Sequence, residues 1–211
     1  FEKVWGVPLP QNKGGKVPLF LEAAGCGDLK ALYVMGEDLV ATEPNNERVI
    51  AHLRNLDFFV VQEIFLNETA KLAHVVLPGG CWAEKDGTFS SSERRMQLIR
   101  KAVEPPGEAR ADWEILCAVS AAMGYPMPYR SPSQIFDEMV SLSPIFGGMS
   151  HARIGERGLQ WPCPTPDHPG TRFLHEGQFT RGKGKFHAIT FQPQKEEPCE
   201  EFPLILSTGR T

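Results

Sequence analysis

Between residues 30 and 80, short apolar runs alternate with amphipathic ones. ALYVM (31–35), FFVV within DFFVVQEIF (57–65) and HVVLP (74–78) are too short for helices and rich in β-branched and aromatic residues, so each predicts a buried strand. Between the first two lies NNERVIAHLRNL (45–56), where Val49, Ile50 and Leu53 form a helical stripe. Thr42 is the expected N-cap and Pro44 suits the first turn. Asn67 is expected to cap a short helix over NETAKLA (67–73). Strand, helix, strand, helix, strand is the pattern of a parallel α/β sheet. Right-handed crossovers place its three strand C-termini on one edge.

On either side the pattern changes. VPLFLEAAGCGDLK (17–30) predicts a short helix stopped by glycine, after a loop over residues 1–16. Residues 82–110 alternate, contain a D-G turn and a P-P-G break, and read as a β excursion from the main sheet. ADWEILCAVSAAMG (111–124) is a helix with Asp112 at or near its start and Gly124 as its stop. SPSQIFDEMVSL (131–142) is another, capped by Ser131 or Ser133. From about Ser143 the chain is mostly Gly- and Pro-rich loop, with a hairpin expected over GKGKFHAITF (182–191). The expected organisation is an α/β dinucleotide-binding region over 1–81 and 111–165, the excursion over 82–110, and a linker with hairpin over 166–211.

Composition narrows the function classes. The 211 residues carry a net charge of −4, which argues against a broad nucleic-acid-binding face. No apolar run is long enough to span a bilayer. The five cysteines stand apart, with neither a C-x-x-C pair nor a histidine at metal-ligand spacing. The six histidines are scattered, and no motif nominates a nucleophile or general base. The chemistry on offer lies at the predicted strand ends, where open α/β sheets bind ligands. Asp38 could accept hydrogen bonds from a guanine edge or a ribose, or simply cap its own turn. Thr42 could open a phosphate-binding helix N-terminus or act as a plain cap. Gln62 ends an apolar strand and could read a ligand by donor and acceptor together, or be a solvated strand end. Gly79 would allow close backbone approach, or make a tight turn. Asp112 is a cap or a ligand contact, and the basic run ERRMQLIRK is a phosphate or partner face, or a solvated strand.

An ordered set of motifs goes further. YVMGED, FVVQEIF-x-N-E-T-A, AHVVLP, WAEKDGTFSSSERRMQ and KAVEPPGEARADW, in this order and spacing, resemble the molybdopterin oxidoreductase superfamily. MGYPMPY, IGERGLQWPCP, GTxFLHEGxFTRGKGKF and FPLILSTGR narrow the resemblance to catalytic subunits of molybdenum- or tungsten-dependent formate dehydrogenases. The resemblance implies a Rossmann-like sheet with flanking helices and an internal fragment of a longer subunit. In it, LSTGR would lead into a C-terminal cofactor-capping domain and the excursion would pack on an iron–sulfur domain. It implies a bis(molybdopterin guanine dinucleotide) carrying Mo or W, and a [4Fe-4S] cluster bound by another part of the protein. The family's cofactor contacts fall on Asp38, Thr42, Gln62, Gly79, Asp112 and Arg210. No catalytic or metal-ligating position of the family is matched. Leu39 stands where proline is frequent and Gly79 where serine is frequent, so a contact at Gly79 would run through its backbone. The implied reaction is reversible oxidation of formate to CO2. The implied partners are the remainder of the subunit and electron-transfer subunits with iron–sulfur clusters or flavin. The cytoplasm is the expected compartment, with the periplasm left open. Other molybdopterin reactions, such as nitrate or oxyanion reduction, and a cofactor-free structural subunit are the alternatives.

Overall fold

The computed structural model describes residues 1–179, 181–193 and 197–206. The chain divides into two units, 1–172 and 173–211.

The first unit contains the expected parallel sheet. Its strands β1 (Ala31–Met35), β2 (Phe58–Glu63) and β3 (Val75–Pro78) lie in that order, with Tyr33 level with Val60 and Val75, and Met35 level with Gln62 and Leu77. The helices α2 (Val17–Cys26), α3 (Leu39–Thr42) and α4 (Asn46–Arg54) supply the rest of its core. Leu21, Ala24, Val49 and Leu53 pack with Val34, Phe59 and Val61. Burying each such aliphatic or aromatic side chain contributes roughly 1.5–3 kcal/mol, and this clamps one face of the sheet. The opposite face carries the exposed side chains of Tyr33, Met35 and Phe58. Residues 1–16 include a short helix, α1 (Glu2–Trp5), where the sequence predicts only loop.

The excursion forms a separate antiparallel sheet. β4 (Gly87–Ser90) pairs with β5 (Arg95–Ile99), which takes on β6 (Leu159–Gln160). Met96 from β5 packs with Phe136 of α6 (Pro132–Leu142), Ile154 of α7 (His151–Ile154), Met149 and Cys163 in a second core. Arg94, at φ 65°, gives its guanidinium to the carbonyls of Trp161, Thr171 and Arg172, the last two at 3.1 and 3.0 Å, and lies over the Trp161 ring. Arg95 pairs with Glu93. These two cations of the basic run are therefore committed to the protein itself.

A return from β3 toward the sheet edge positions the functional region. Arg110 bonds back to Pro78 and Gly80 through its backbone, and α5 (Asp112–Ala122) follows directly. Ser131 caps α6, accepting from the Gln134 amide. In the second unit, the hairpin expected over 182–191 is not formed. Among the described residues there, only a bridge between Phe179 and Gly182 occurs, and Phe186, Ile189 and Phe191 are exposed. Without a packed face, alternation alone does not hold two strands together.

Candidate functional site

The C-terminal edge of β1–β3 gathers two side-chain clusters. In the first, β1 ends at Gly36, whose left-handed φ of 65° turns the chain into Glu37 and Asp38. Asp38 stands at the N-cap position of α3, yet its side chain caps nothing. Its Oδ1 accepts instead from the Thr69 hydroxyl (2.6 Å) and more distantly from the Thr69 amide (3.3 Å), while its Oδ2 has no partner among the described residues. Thr69 follows β2, is 0% exposed, and accepts the Val40 amide on the same hydroxyl at 3.0 Å. Asn67 accepts from the Ala70 amide and so closes the turn that carries Thr69, but the short helix expected over 67–73 is only a single 3-10 turn, Ala70–Leu72.

Thr42 requires a correction. It does not open a helix: it is the last residue of α3, and the helix that follows is capped by Asn45, which accepts from Arg48 in a left-handed conformation. Asparagine tolerates that backbone and threonine does not. The Thr42 hydroxyl points to Glu37 Oε1 (2.7 Å) and the Asp38 carbonyl (2.9 Å). At a helix C-terminus the backbone offers carbonyls, so the phosphate argument based on free amides does not apply there.

The second cluster forms around Gln62, which is 1% exposed and so is no solvated strand end. Its amide bridges the Tyr33 hydroxyl (2.5 Å, to Oε1) and Asp112 Oδ1 (2.7 Å, from Nε2). A carboxylate only accepts, so the amide nitrogen must face Asp112 and the tyrosine must donate to the amide oxygen. Asp112 is the first residue of α5 and not its N-cap; its Oδ2 is paired with Lys85, which also donates to the Gly80 carbonyl at 3.0 Å. Burial, and then the Asp112 charge, raise the Tyr33 pKa above its ordinary value of 10.0. Gly79 is buried against this cluster; a Cβ there would lie 3.2 Å from Asp112 Oδ1 and 3.9 Å from Gln62 Cγ. Its absent side chain therefore makes room for Asp112. A cleft of about 350 Å³ has Lys85, Asp112, Trp113 and Phe136 in its wall.

The structure thus joins Gln62, Gly79 and Asp112 in one cluster and leaves Asp38 and Thr42 in another, at the same edge. Arg210 lies outside the described residues. Sequence reasoning missed Tyr33, Thr69 and Lys85. Tyr33 carries the signal of a phenol in an otherwise aliphatic strand, and Thr69 and Lys85 sit inside quoted motifs without any pattern of their own.

The edge is acidic. Glu37, Asp38, Glu63 and Asp112 lie there on three segments, against Lys85, which is paired with Asp112, and the exposed Arg110. Such a rim suits a ligand rich in N–H and O–H donors, as a base edge or a ribose is, better than it suits a bare phosphate. Among the described residues no group of His, Cys, Asp and Glu is arranged to hold a metal ion.

A parallel α/β sheet with helices packed against it and polar groups at its strand ends is the architecture on which open α/β proteins place a ligand site. The profile of the molybdopterin oxidoreductase family matches residues 4–122, and the chain belongs to that family. It is 49% identical to an F420-dependent formate dehydrogenase 2 subunit alpha of Methanococcus maripaludis, over 99% of this chain and 32% of that protein. It is 38% identical to the assimilatory nitrate reductase catalytic subunit of Bacillus subtilis, over 99% of this chain and 31% of that protein. The chain therefore spans about a third of the length of these relatives. Among solved structures it resembles acetylene hydratase from Pelobacter acetylenicus (TM-score 0.53, 23% identity, 63% of this chain and 19% of that one), a likeness of fold. No helix among the described residues is long and apolar enough to cross a membrane.

Proposed function

We propose that this chain is the part of a formate dehydrogenase catalytic subunit that holds one dinucleotide arm of a bis(molybdopterin guanine dinucleotide) carrying Mo or W. The observation that carries the reading is the Asp38 carboxylate, pinned through one oxygen to Thr69 and open at the other, on an acidic strand-end rim. A guanine presents N1–H and N2–H2 side by side, and an ionised carboxylate is the acceptor that matches them. Family membership and the likeness to a formate dehydrogenase subunit support the identity of the ligand.

The residues fit this role as binders. Asp38 would take the base edge. Thr42 and Glu37, which already share a hydroxyl proton, would take a second polar group beside it. Gln62 and Asp112 each have most of their hydrogen-bonding capacity turned inward, so they would shape the edge more than read it. Gly79 would let a ligand approach the backbone, and Arg210 would contribute from outside the described residues. When bound, the metal centre supplies the redox chemistry, in which formate yields CO2, a proton and two electrons. This chain would bind and orient the cofactor. The remainder of the subunit would hold a [4Fe-4S] cluster, and electron-transfer subunits with iron–sulfur clusters or flavin would receive the electrons. The cytoplasm is the proposed compartment.

Purified native holoenzyme tests this. Roughly one Mo or W per subunit, GMP released on acid hydrolysis and formate-dependent dye reduction are expected. Nitrate reduction without formate oxidation would move the assignment to the nitrate reductase relatives, and metal-free, nucleotide-free protein would leave a structural subunit.

A further inference from the structure

An aspartate at the first position before a helix ordinarily accepts from the amide two or three residues on. Asp38 occupies that position before α3 and makes no such bond, because the amide it would take, that of Val40, is already bonded to the Thr69 hydroxyl at 3.0 Å. Thr69 comes from the other side of β2, across 29 residues of sequence. Its single hydroxyl therefore does two things at once. It caps α3 in the place of Asp38, and, with its oxygen occupied by Val40, it must send its proton to Asp38 Oδ1, 2.6 Å away. That proton, together with the Thr69 amide at 3.3 Å, holds Asp38 Oδ1 in one orientation. Thr69 is 0% exposed and its bond from the Val40 amide is buried, while Asp38 itself is half-buried.

We propose that Thr69 is a positioning residue for nucleobase recognition: by taking over the cap of α3 it frees the Asp38 carboxylate and fixes it for a donor-bearing purine edge. The proposal rests on the reading of Asp38 as the guanine-binding group. Removing the hydroxyl would return the Val40 amide to Asp38, and the carboxylate would revert to an ordinary cap.

The test uses the full-length, cofactor-free subunit and compares GDP with IDP by titration calorimetry, because hypoxanthine lacks only the 2-amino group. Wild type is expected to prefer GDP on the order of tenfold, the discrimination of one arm of a bidentate contact. Thr69→Ser should keep that ratio within about twofold. Thr69→Val, and Thr69→Ala as a second variant should the first fold poorly, should bring the ratio close to one. A Thr69 that served only the fold would lower the melting temperature and both affinities and leave the ratio alone, which would overturn the proposal. Asp38→Asn separates the two ideas. If it abolishes the preference while Thr69→Val and Thr69→Ala retain it, the positioning role is wrong and the Asp38 reading stands. If Asp38→Asn retains the preference, or wild type shows none, both are wrong.

Discussion

Gln62 shows how much a single buried amide can be asked to do. Its side chain is enclosed at a strand end, and it is tolerated there because both ends of the amide are bonded, to Tyr33 and to Asp112. Gln62→Leu is of similar size but leaves a phenol and a carboxylate each short of a partner. It is expected to destabilise the protein by about 2 kcal/mol, read from chemical denaturation. Lys85→Met should weaken the same edge by removing the cation on Asp112, whereas Lys85→Arg should preserve most of it. A second residue pair sets an alkaline limit. Tyr129 donates to Glu138 at 2.6 Å, and this bond, followed by burial, pushes the Tyr129 pKa up to about 12. The folded state thus holds the proton more tightly than the unfolded chain, whose tyrosine titrates at 10.0. The contribution is complete below about pH 10 and is lost between about 10 and 12. Glu138 shifts downward, first through Tyr129 and then through Trp5, so its part of the stabilisation is lost as pH falls through the carboxylate range. Tyr129→Phe should flatten the melting temperature between pH 10 and 12 and remove one late-titrating tyrosinate, leaving that of Tyr33. The strand-end placement of Asp38, Gln62, Gly79 and Asp112 was legible in the sequence because strand ends and glycine turns are. Their partners were not, because a pairing such as Gln62 with Asp112, 50 residues apart, leaves no local pattern.

Among the elements, β1, β2, β3, α2, α4, α5 and α6 are all foreshadowed by periodicity and end signals. The errors fall at the cap of α4, at α1 within the segment read as loop, and at the hairpin expected over 182–191. Thr42 was a plausible cap, but Asn45, with φ 64°, suits the turn that actually precedes α4. The segment over 182–191 alternates without any partner face. Glycine can be decisive at this scale for reasons the sequence does not advertise. Gly147 and Gly148 carry the chain past the backbone of residues 163–165, and Gly148 bonds to the Cys163 carbonyl at 2.7 Å. A Cβ at Gly148 would fall 1.9 Å from the Thr165 carbonyl oxygen, a backbone atom that cannot rotate away. Gly148→Ala is therefore expected to cost upward of about 3 kcal/mol, or to prevent folding of the second core, as seen by loss of near-ultraviolet dichroism. Gly25→Ala is a gentler case. The overlap there is with the His52 ring, at 2.5 Å, so His52→Ala should rescue it.

For the molecule as a whole, the α/β class was legible because alternation of strands and helices admits few topologies. That the excursion would close on β6 and α7 was not, since those contacts come from far along the chain. Arg94 is the main tie. Its guanidinium reaches the Thr171 carbonyl across 77 residues, whereas the bond from Phe59 to His74 that joins β2 to the start of β3 spans only 15. Closing a long loop costs more chain entropy before any contact offsets it. The parallel sheet should consequently be the early-forming part of the chain and the Arg94 tie a late one. In pulse-labelled exchange during refolding, amides of β2 should gain protection before those of Leu159 and Trp161. A cell making this protein would thus hold, for a time, a nearly finished parallel sheet beside an unfinished clasp, and that interval is when a chaperone would have access to the open second core.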